Sequence, residues 1–341
     1  MKKKFFIGID FSKIKFDAAI YNGETNQKMG SQEFVNDLGG FKELLKWIKS
    51  IVGTKYSEWF FCGEHTGLYS YALPVFLSEK HIDICLESGL QIKRSLGIQR
   101  GKTDSVDAIR ISEYAYRHED KLQLFNPLSE VLDGLKDLFA YRDRLVKAKK
   151  MFQISSKELK SVQKKGLISE FIVVNSNSEI VSLESKLKCC EIKIKELIKS
   201  ELSLLENYEF MTSIKGIGMM NAAAVLVATA NFALFTDPRK FGCYCGVVPF
   251  KHSSGTSVKG RTKISNFANK KLKTLLTQAA RTCVMHDLEM KEYYQRKIAE
   301  GKKDKVVINN VRNKLIHRMF AVVNNRTKYD PNHMNPLKQA S

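Results

Sequence analysis

Residues 4–10 read KFFIGID, an apolar run that ends in a carboxylate, Asp10. A run this short, rich in aromatic and β-branched residues, predicts a buried strand. Residues 15–21, KFDAAIY, follow after the length of a turn and are expected to pair with it as a second strand. Further out, Glu58–Cys62 reads EWFFC and His81–Leu86 reads HIDICL, which predicts a third and a fourth strand. Between them Phe41, Leu44, Leu45, Ile48 and Ile51 recur at helical spacing, and another helix is expected over Tyr69–Leu77. Strands alternating with helices predict an α/β domain on a central sheet, covering residues 1–125.

Two carboxylates, Asp10 and Glu64 of the run GEHTG (63–67), fall just past predicted strand ends. That is where α/β sheets place chemistry, because side chains there point into a crevice. A third group lies in GKTDSVDAIRISEYA (101–115), where Asp104 and Asp107 share one face of any helix that begins at Thr103 or Asp104. Four carboxylates brought to one point repel each other, and a divalent cation relieves the repulsion. An all-oxygen donor set suits Mg²⁺, with Mn²⁺ as the alternative, and two ions about 4 Å apart suit phosphoryl transfer. Each residue also has a structural reading: Asp104 as a helix N-cap, Asp107 as a first-turn residue favoured by the helix dipole, Asp10 as a strand-end turn residue. Asp17 and His65 are read as structural.

The chain of 341 residues carries a net charge of +20, long enough for two or three domains and basic enough to need a polyanion, either nucleic acid or an anionic membrane surface. No apolar run approaches the roughly 20 residues that span a bilayer. Lys2-Lys3-Lys4 imitates the start of a signal peptide, but Asp10 and Lys13 interrupt the segment that would follow. The seven cysteines are odd in number, scattered and without a C-x-x-C pair, as expected of reduced core thiols. The expected location is cytoplasmic, with association to the nucleoid.

Asn126-Pro127 marks a boundary. Over 126–205 the pattern is helical and charged, with Leu128, Val131, Leu135 and Leu138 on one face and Arg142, Arg144, Lys147, Lys149 and Lys150 on another. A helix end over Lys157–Leu167, a turn at Asn175–Ser178 and a second long helix over Ile180–Leu205 predict a hairpin of coiled-coil character. Its leucine stripes need a surface to cover them, either their own chain or a second copy in a homo-oligomer, a dimer or tetramer.

The third region, 206–330, opens on Ile214-Lys215-Gly216-Ile217-Gly218, which reads as a helix-hairpin-helix turn whose glycines admit a phosphate to backbone N–H groups. From Arg239 to His286 there are ten Lys or Arg residues and no Asp or Glu. They include Arg239, Lys240, Lys251, Lys259, Arg261, Lys263, Lys270, Lys271 and Lys273. Among them sits a small-residue loop, His252-Ser253-Ser254-Gly255-Thr256-Ser257. Hydroxyls ringed by cations suit nucleophilic attack on a phosphodiester, or simply hydrogen bonds to phosphate. Leu272, Leu275, Leu276 and Ala279 then predict a helix with the lysines opposite. Tyr293 and Tyr294 are rival nucleophiles, and residues 331–341 are expected to be a flexible tail.

The runs IGIDFSK, GEHTG and GKTDSVDA resemble the RuvC-like DEDD domain of an insertion-sequence transposase family related to Piv-type DNA invertases. In the C-terminal region Gly246-x-x-Pro249, Ser253-Ser254-Gly255, Gly260, Ile264-Ser265 and Asn269 resemble that family's serine-bearing transposase domain. The resemblance implies a ribonuclease H-like α/β fold, a coiled-coil insertion used in assembly and a mainly helical catalytic domain. It implies metal ligation by Asp10, Glu64, Asp104 and Asp107, and Ser254 as the nucleophile. It also implies bacterial or archaeal origin, DNA as donor and target, and a structured guide RNA encoded by the element. A junction resolvase using the carboxylates alone and a non-enzymatic nucleic-acid-binding protein are the alternatives.

Overall fold

The structure, a computed structural model, describes residues 3–95, 104–161, 166–254 and 258–331, with backbone alone at residues 104, 167, 251–254 and 258–263. The chain forms two compact units, Met1–Pro127 and Leu128–Ser341. Both are rich in helix, and the first holds a mixed sheet consistent with a ribonuclease H-like DEDD domain.

That sheet has five strands: β1 (Phe5–Phe11), β2 (Lys15–Asn22), β3 (Gln27–Val35), β4 (Trp59–Glu64) and β5 (Ile84–Glu87), in the order β3-β2-β1-β4-β5. The first three run antiparallel, and β1, β4 and β5 run parallel. The helices are α1 (Leu38–Val52), α2 (Ala72–Glu79), α3 (Gly89–Ser95) and α4 (Asp104–His118). Side chains alternate between the faces of a strand, so each strand serves two cores. Ile7, Ile9, Phe16, Ala18, Ile20 and Phe61 pack with Phe41, Leu44 and Ile48 of α1 and with Leu73 and Leu77 of α2. Phe6, Phe60, Cys62 and Cys85 pack with Ile111, Tyr114 and Ala115 of α4. The antiparallel pairing of KFFIGID with KFDAAIY is as expected. The edge strand β3 is an addition to the four strands anticipated.

In the second unit α5 (Glu130–Ser161) and α6 (Leu167–Lys199) pack side by side, joined by Arg142–Glu191 at 2.7 Å and Lys149–Glu184 at 2.9 Å. The expected turn at Asn175–Ser178 is absent: α6 runs through it. Asn175 donates to the Phe171 carbonyl at 2.9 Å, so the polar side chain is satisfied without breaking the helix. The expected continuous helix to Leu205 instead ends at Lys199, and α7 (Leu202–Thr212) begins anew after it. There follow α8 (Met219–Thr229), α9 (Pro238–Tyr244), a hairpin of β6 (Phe250–Ser254) and β7 (Val258–Lys263), α10 (Lys270–His286), α11 (Leu288–Ala299) and α12 (Asp304–Asn324). One core joins them, and Leu132, Leu135, Ile194 and Ile198 of α5 and α6 belong to it together with Leu226, Phe241, Leu276 and Phe320. The tail residues 332–341 lie outside the described residues. Among the described residues no helix is long and apolar enough to cross a membrane.

Five of the seven cysteines, Cys62, Cys85, Cys190, Cys245 and Cys283, are buried as core thiols, and Cys243 is half-buried. Burial pushes Cys245 and Cys283 up to about 12, and a hydrogen bond with Cys85 together with burial raises Cys62. Cys189 is exposed. Alkylation of the native protein at pH 8 should therefore label Cys189 about 10³-fold faster than Cys245 or Cys283, since the thiolate is the reacting form. Peptide mass spectrometry of a time course checks the ratio.

Candidate functional site

The first site is built where α4 crosses β1. A Cβ on Gly8 would stand 2.1 Å from the Ala108 carbonyl oxygen and 2.3 Å from the Ser112 nitrogen, so the helix backbone rests directly on the strand. Phe6, two residues before Gly8, meets Tyr116 near the other end of α4, with ring centroids 5.3 Å apart. The helix therefore runs back along β1, and its N-terminal turn lies at the strand end that carries Asp10. Because α4 begins at Asp104, Asp107 falls in that first turn.

Alternation along the strands fixes which carboxylates share this face. Asp10 follows Phe6 and Gly8, and Glu64 follows Phe60 and Cys62, so both project to the α4 side. Asp17 is the register partner of Asp10, which places a further acid on the same face. Glu87 is the register partner of Glu64 and follows Cys85 on that face. The sequence reading missed Glu87, although IDICLE ends in a carboxylate just as KFFIGID and WFFCGE do. Its Oε1 accepts from the Ser88 amide at 2.8 Å and its Oε2 lies 3.4 Å from the Tyr114 hydroxyl. Burial first and then Glu87 push Tyr114 up to about 12, which keeps the phenol a neutral donor.

Asp107 is held by the Arg110 guanidinium at 2.8 Å, so it must exchange that partner to ligate an ion. Among the described residues no three acidic, histidine or cysteine side chains stand ready as a metal cage, and the Asp104 side chain is outside them. The donors nevertheless fit a hard cation in kind: carboxylate oxygens at the ends of adjacent strands and on the helix turn above them. Gly89 makes room for one of them. Its Cα lies so near the Glu64 carboxylate that a Cβ would meet Oε1 at 1.9 Å. Gly89→Ala would push aside a flexible carboxylate rather than backbone. We expect a stability change below about 1 kcal/mol but at least about 10-fold weaker binding of a divalent cation if Glu64 is one of its ligands. Calorimetric titration with Mn²⁺, with a melting curve as control, checks this, and an unchanged affinity would count against Glu64 as a ligand.

The second site surrounds β6 and β7. His252 pairs with Gly260, Ser253 with Lys259 and Ser254 with Val258, so the stretch expected as a loop is largely a hairpin. Its tip, residues 255–257, lies outside the described residues, as do the side chains of Lys251, Ser254, Lys259, Arg261 and Lys263. Asn269 caps α10 by accepting from the Leu272 amide at 3.1 Å, and α10 buries Leu272, Leu276 and Ala279 as its spacing predicted.

The one-sign stretch is partly neutralised by acids from outside it. Lys271 pairs with Asp143 of α5, and Arg281 with Asp304 of α12 at 3.2 Å. Arg239, Lys240 and Lys270 are exposed. Lys215 and Gly218 are also exposed at the start of α8, where Gly218 is the N-cap and leaves its side free. Gly216 answers to packing instead. At φ 93° its Cβ would stand 2.6 Å from the Ala279 carbonyl oxygen, so its bare Cα admits α10 rather than a phosphate.

Comparison with known proteins bears on both sites. Residues 7–157 match the DEDD transposase domain of the IS110 type, and residues 208–295 match the domain described as transposase of the IS116/IS110/IS902 family. The pilin gene-inverting protein of Moraxella bovis is 25% identical over 331 residues, 96% of this chain and 98% of the relative. The transposase for insertion sequence element IS1111A of Coxiella burnetii is 26% identical over 211 residues, 55% of this chain and 57% of the relative. An IS110 insertion-element protein of Streptomyces coelicolor is 26% identical over 162 residues, 47% of this chain and 38% of the relative. Asp10, Glu64, Asp104 and Asp107 all fall within the first matched stretch, and Ser254 within the second. The DEDD match suggests a divalent-metal requirement.

Proposed function

The chain belongs to the IS110/IS116 family of DEDD-type transposases, enzymes of DNA recombination, and on that premise we propose that it cuts and rejoins DNA through a covalent link to Ser254. The Ser254 hydroxyl attacks a backbone phosphorus. The new O–P bond forms as the bond from phosphorus to a deoxyribose oxygen breaks, and the proton lost by the serine ends on that departing oxygen. Attack by a hydroxyl of a second strand reverses the step and releases the serine, so no further reactant is consumed. Mg²⁺, with Asp10, Glu64, Asp104 and Asp107 as its proposed ligands, would supply stabilisation of the charge that develops on the oxygens.

The observation that carries the metal-dependent part of this reading is the seating of α4 on Gly8, which brings the Asp107 turn to the strand ends bearing Asp10 and Glu64. A catalytic Ser254 is supported by its place within the matched transposase domain and within a cation-rich stretch that offers the strand a phosphate-binding surface. A structured guide RNA is the proposed source of target choice, since the sequence offers no evident base-reading helix and pairing would supply the specificity. Assembly as a homo-oligomer through a coiled-coil hairpin of α5 and α6 is supported by the exposed apolar residues Met151, Ile154, Phe171 and Val174 on those helices.

The test is a trapping assay with the full chain, Mg²⁺, RNA transcribed from its own locus and labelled target DNA. A denaturation-resistant protein–DNA adduct mapped to Ser254 by mass spectrometry, and lost on chelation, is the expected result. Cleavage without any adduct would instead make the protein a metal-dependent nuclease.

A further inference from the structure

Arg312 lies on the buried face of α12, only 8% exposed, and no hydrogen-bond partner meets its Nε or Nη1. Six residues on, Arg318 shows how this fold treats a guanidinium kept for structure. It is held by Asp287 at 2.9 Å and by Glu289 at 2.5 Å. Among the described residues no carboxylate does the same for Arg312. Its charged surroundings are cationic. Burial first and then Arg281 hold Arg312 below the ordinary arginine range, and burial first and then Arg312 do the same to Lys273. A desolvated positive charge with two enclosed, unsatisfied donors and a cationic neighbour is costly unless local opening admits an anion to it.

Helix α10 points the same way. Its first turn holds Lys270, Lys271 and Lys273 and no acid of its own; Asp143 of α5 answers Lys271, which leaves Lys270 and Lys273 as cations at a helix N-terminus, where a bound anion is favoured. The place of these cations in the fold is specific. Lys273 Cδ lies 3.9 Å from where a Cβ on Gly246 would stand. Asn309, one turn before Arg312, donates to the Val247 carbonyl at 2.8 Å. Gly246 and Val247 lead directly into β6, the strand that carries Ser254.

We propose that Arg312 and Lys273 form a phosphate-binding site at the root of the serine hairpin, which takes one backbone phosphodiester of a bound nucleic-acid strand and positions that strand along β6. A guanidinium grips two phosphate oxygens at once, and Lys273 adds a point charge beside it. Both are positioning residues. Arg312 lies beyond both matched stretches. The inference rests on the reading of this unit as a nucleic-acid-processing domain.

The test measures binding of a short labelled DNA by anisotropy across a salt series, on full-length Ser254→Ala protein without metal, together with melting curves. Arg312→Met should weaken binding about 10-fold and make the slope of log K against log salt shallower by about one phosphate contact. Without DNA its melting temperature should equal or exceed the parent's, because an apolar isostere removes an unpaired buried charge. Unchanged affinity and slope would overturn the proposal and leave Arg312 a structural residue satisfied by water. If Arg312→Met melts lower, the less buried Lys273→Met decides: a loss of affinity with a shallower slope supports the site, and no loss overturns it. A third arm adds inorganic phosphate at constant ionic strength. Stabilisation of the parent but not of Arg312→Met, with equal DNA affinity in both, would mean a free-phosphate site and overturn strand positioning. With no cleavage step, the outcome stands apart from whether Ser254 forms an adduct.

Discussion

Alanine in place of Ser254 is expected to lower strand joining by at least about 10⁴-fold and to leave DNA binding within about 2-fold of the parent. The first figure follows from the chemistry: a step that passes through a covalent bond to a side-chain oxygen has no substitute when the oxygen is gone, and what remains is binding and electrostatics. The second follows from where affinity originates. Exposed cations such as Arg239, Lys240 and Lys270, proposed here as phosphate contacts, would release counterions whether or not one hydroxyl is present. Ser253 is the natural control. It is the preceding residue of the same strand, paired with Lys259 while Ser254 pairs with Val258, so Ser253→Ala perturbs the same hairpin without removing the proposed nucleophile. It should retain most of the activity. Asp10→Asn completes the set, with an expected loss of about 10³-fold at the metal-dependent step. Gel assays of joined product, with anisotropy for binding, separate these outcomes. Joining that survives Ser254→Ala but not Asp10→Asn would assign all of the chemistry to the carboxylates.

How much of this was legible in the sequence depends on where each signal resides. The strands β1, β2, β4 and β5 are buried and therefore written as apolar runs. The edge strand β3, QKMGSQEFV, buries only Phe34 and so looks like a polar connection. Three of the strand-end carboxylates announce themselves by the same device, an apolar run closed by an acid, yet only Asp10 and Glu64 were noticed, and Glu87 was not. The Asn and Ser residues at 175–178 imitate a turn because their side chains compete with the backbone. In α6 that competition is resolved within the helix by the Asn175–Phe171 bond. Small polar residues around Ser254 carry little strand propensity, so the hairpin was invisible until its register was seen. Arg312 carries a partial signal: helical spacing aligns it with Ile308, Leu315, Ile316 and Met319 on the buried face of α12, but only the structure shows that no carboxylate among the described residues comes with it.

Gly8→Ala is the substitution expected to damage the first unit most for the fewest atoms added. The new methyl would fall 2.1 Å from the Ala108 carbonyl oxygen and 2.3 Å from the Ser112 nitrogen, and both are backbone atoms of a helix that cannot rotate out of the way. The helix must lift off β1 or the strand must bend, and either opens the packing of Ile111, Tyr114 and Ala115 on Phe6, Phe60 and Cys62. A cost of at least about 3 kcal/mol is expected, at the upper end for overpacking. Gly53 provides the contrast. Its φ of 85° and ψ of −168° disfavour any side chain, but a Cβ there meets nothing within 4 Å, so Gly53→Ala should cost about 1–3 kcal/mol from the backbone alone. The two variants differ in a second way that stability alone would not produce. Helix α4 carries Asp104, Asp107 and Arg110 at its N-terminal end, so a displacement of about 1 Å at Gly8 should cost about 10²-fold in metal-dependent cleavage even at temperatures where the variant is folded. Gly53 lies at the far end of α1 and should leave that step intact. Melting curves, amide exchange along α4 and cleavage rates measured below the melting transition report on the three consequences separately. A Gly8→Ala protein that melts and cleaves like the parent would mean that α4 is not seated on β1, and the gathering of Asp107 with Asp10 and Glu64 would lose its structural basis.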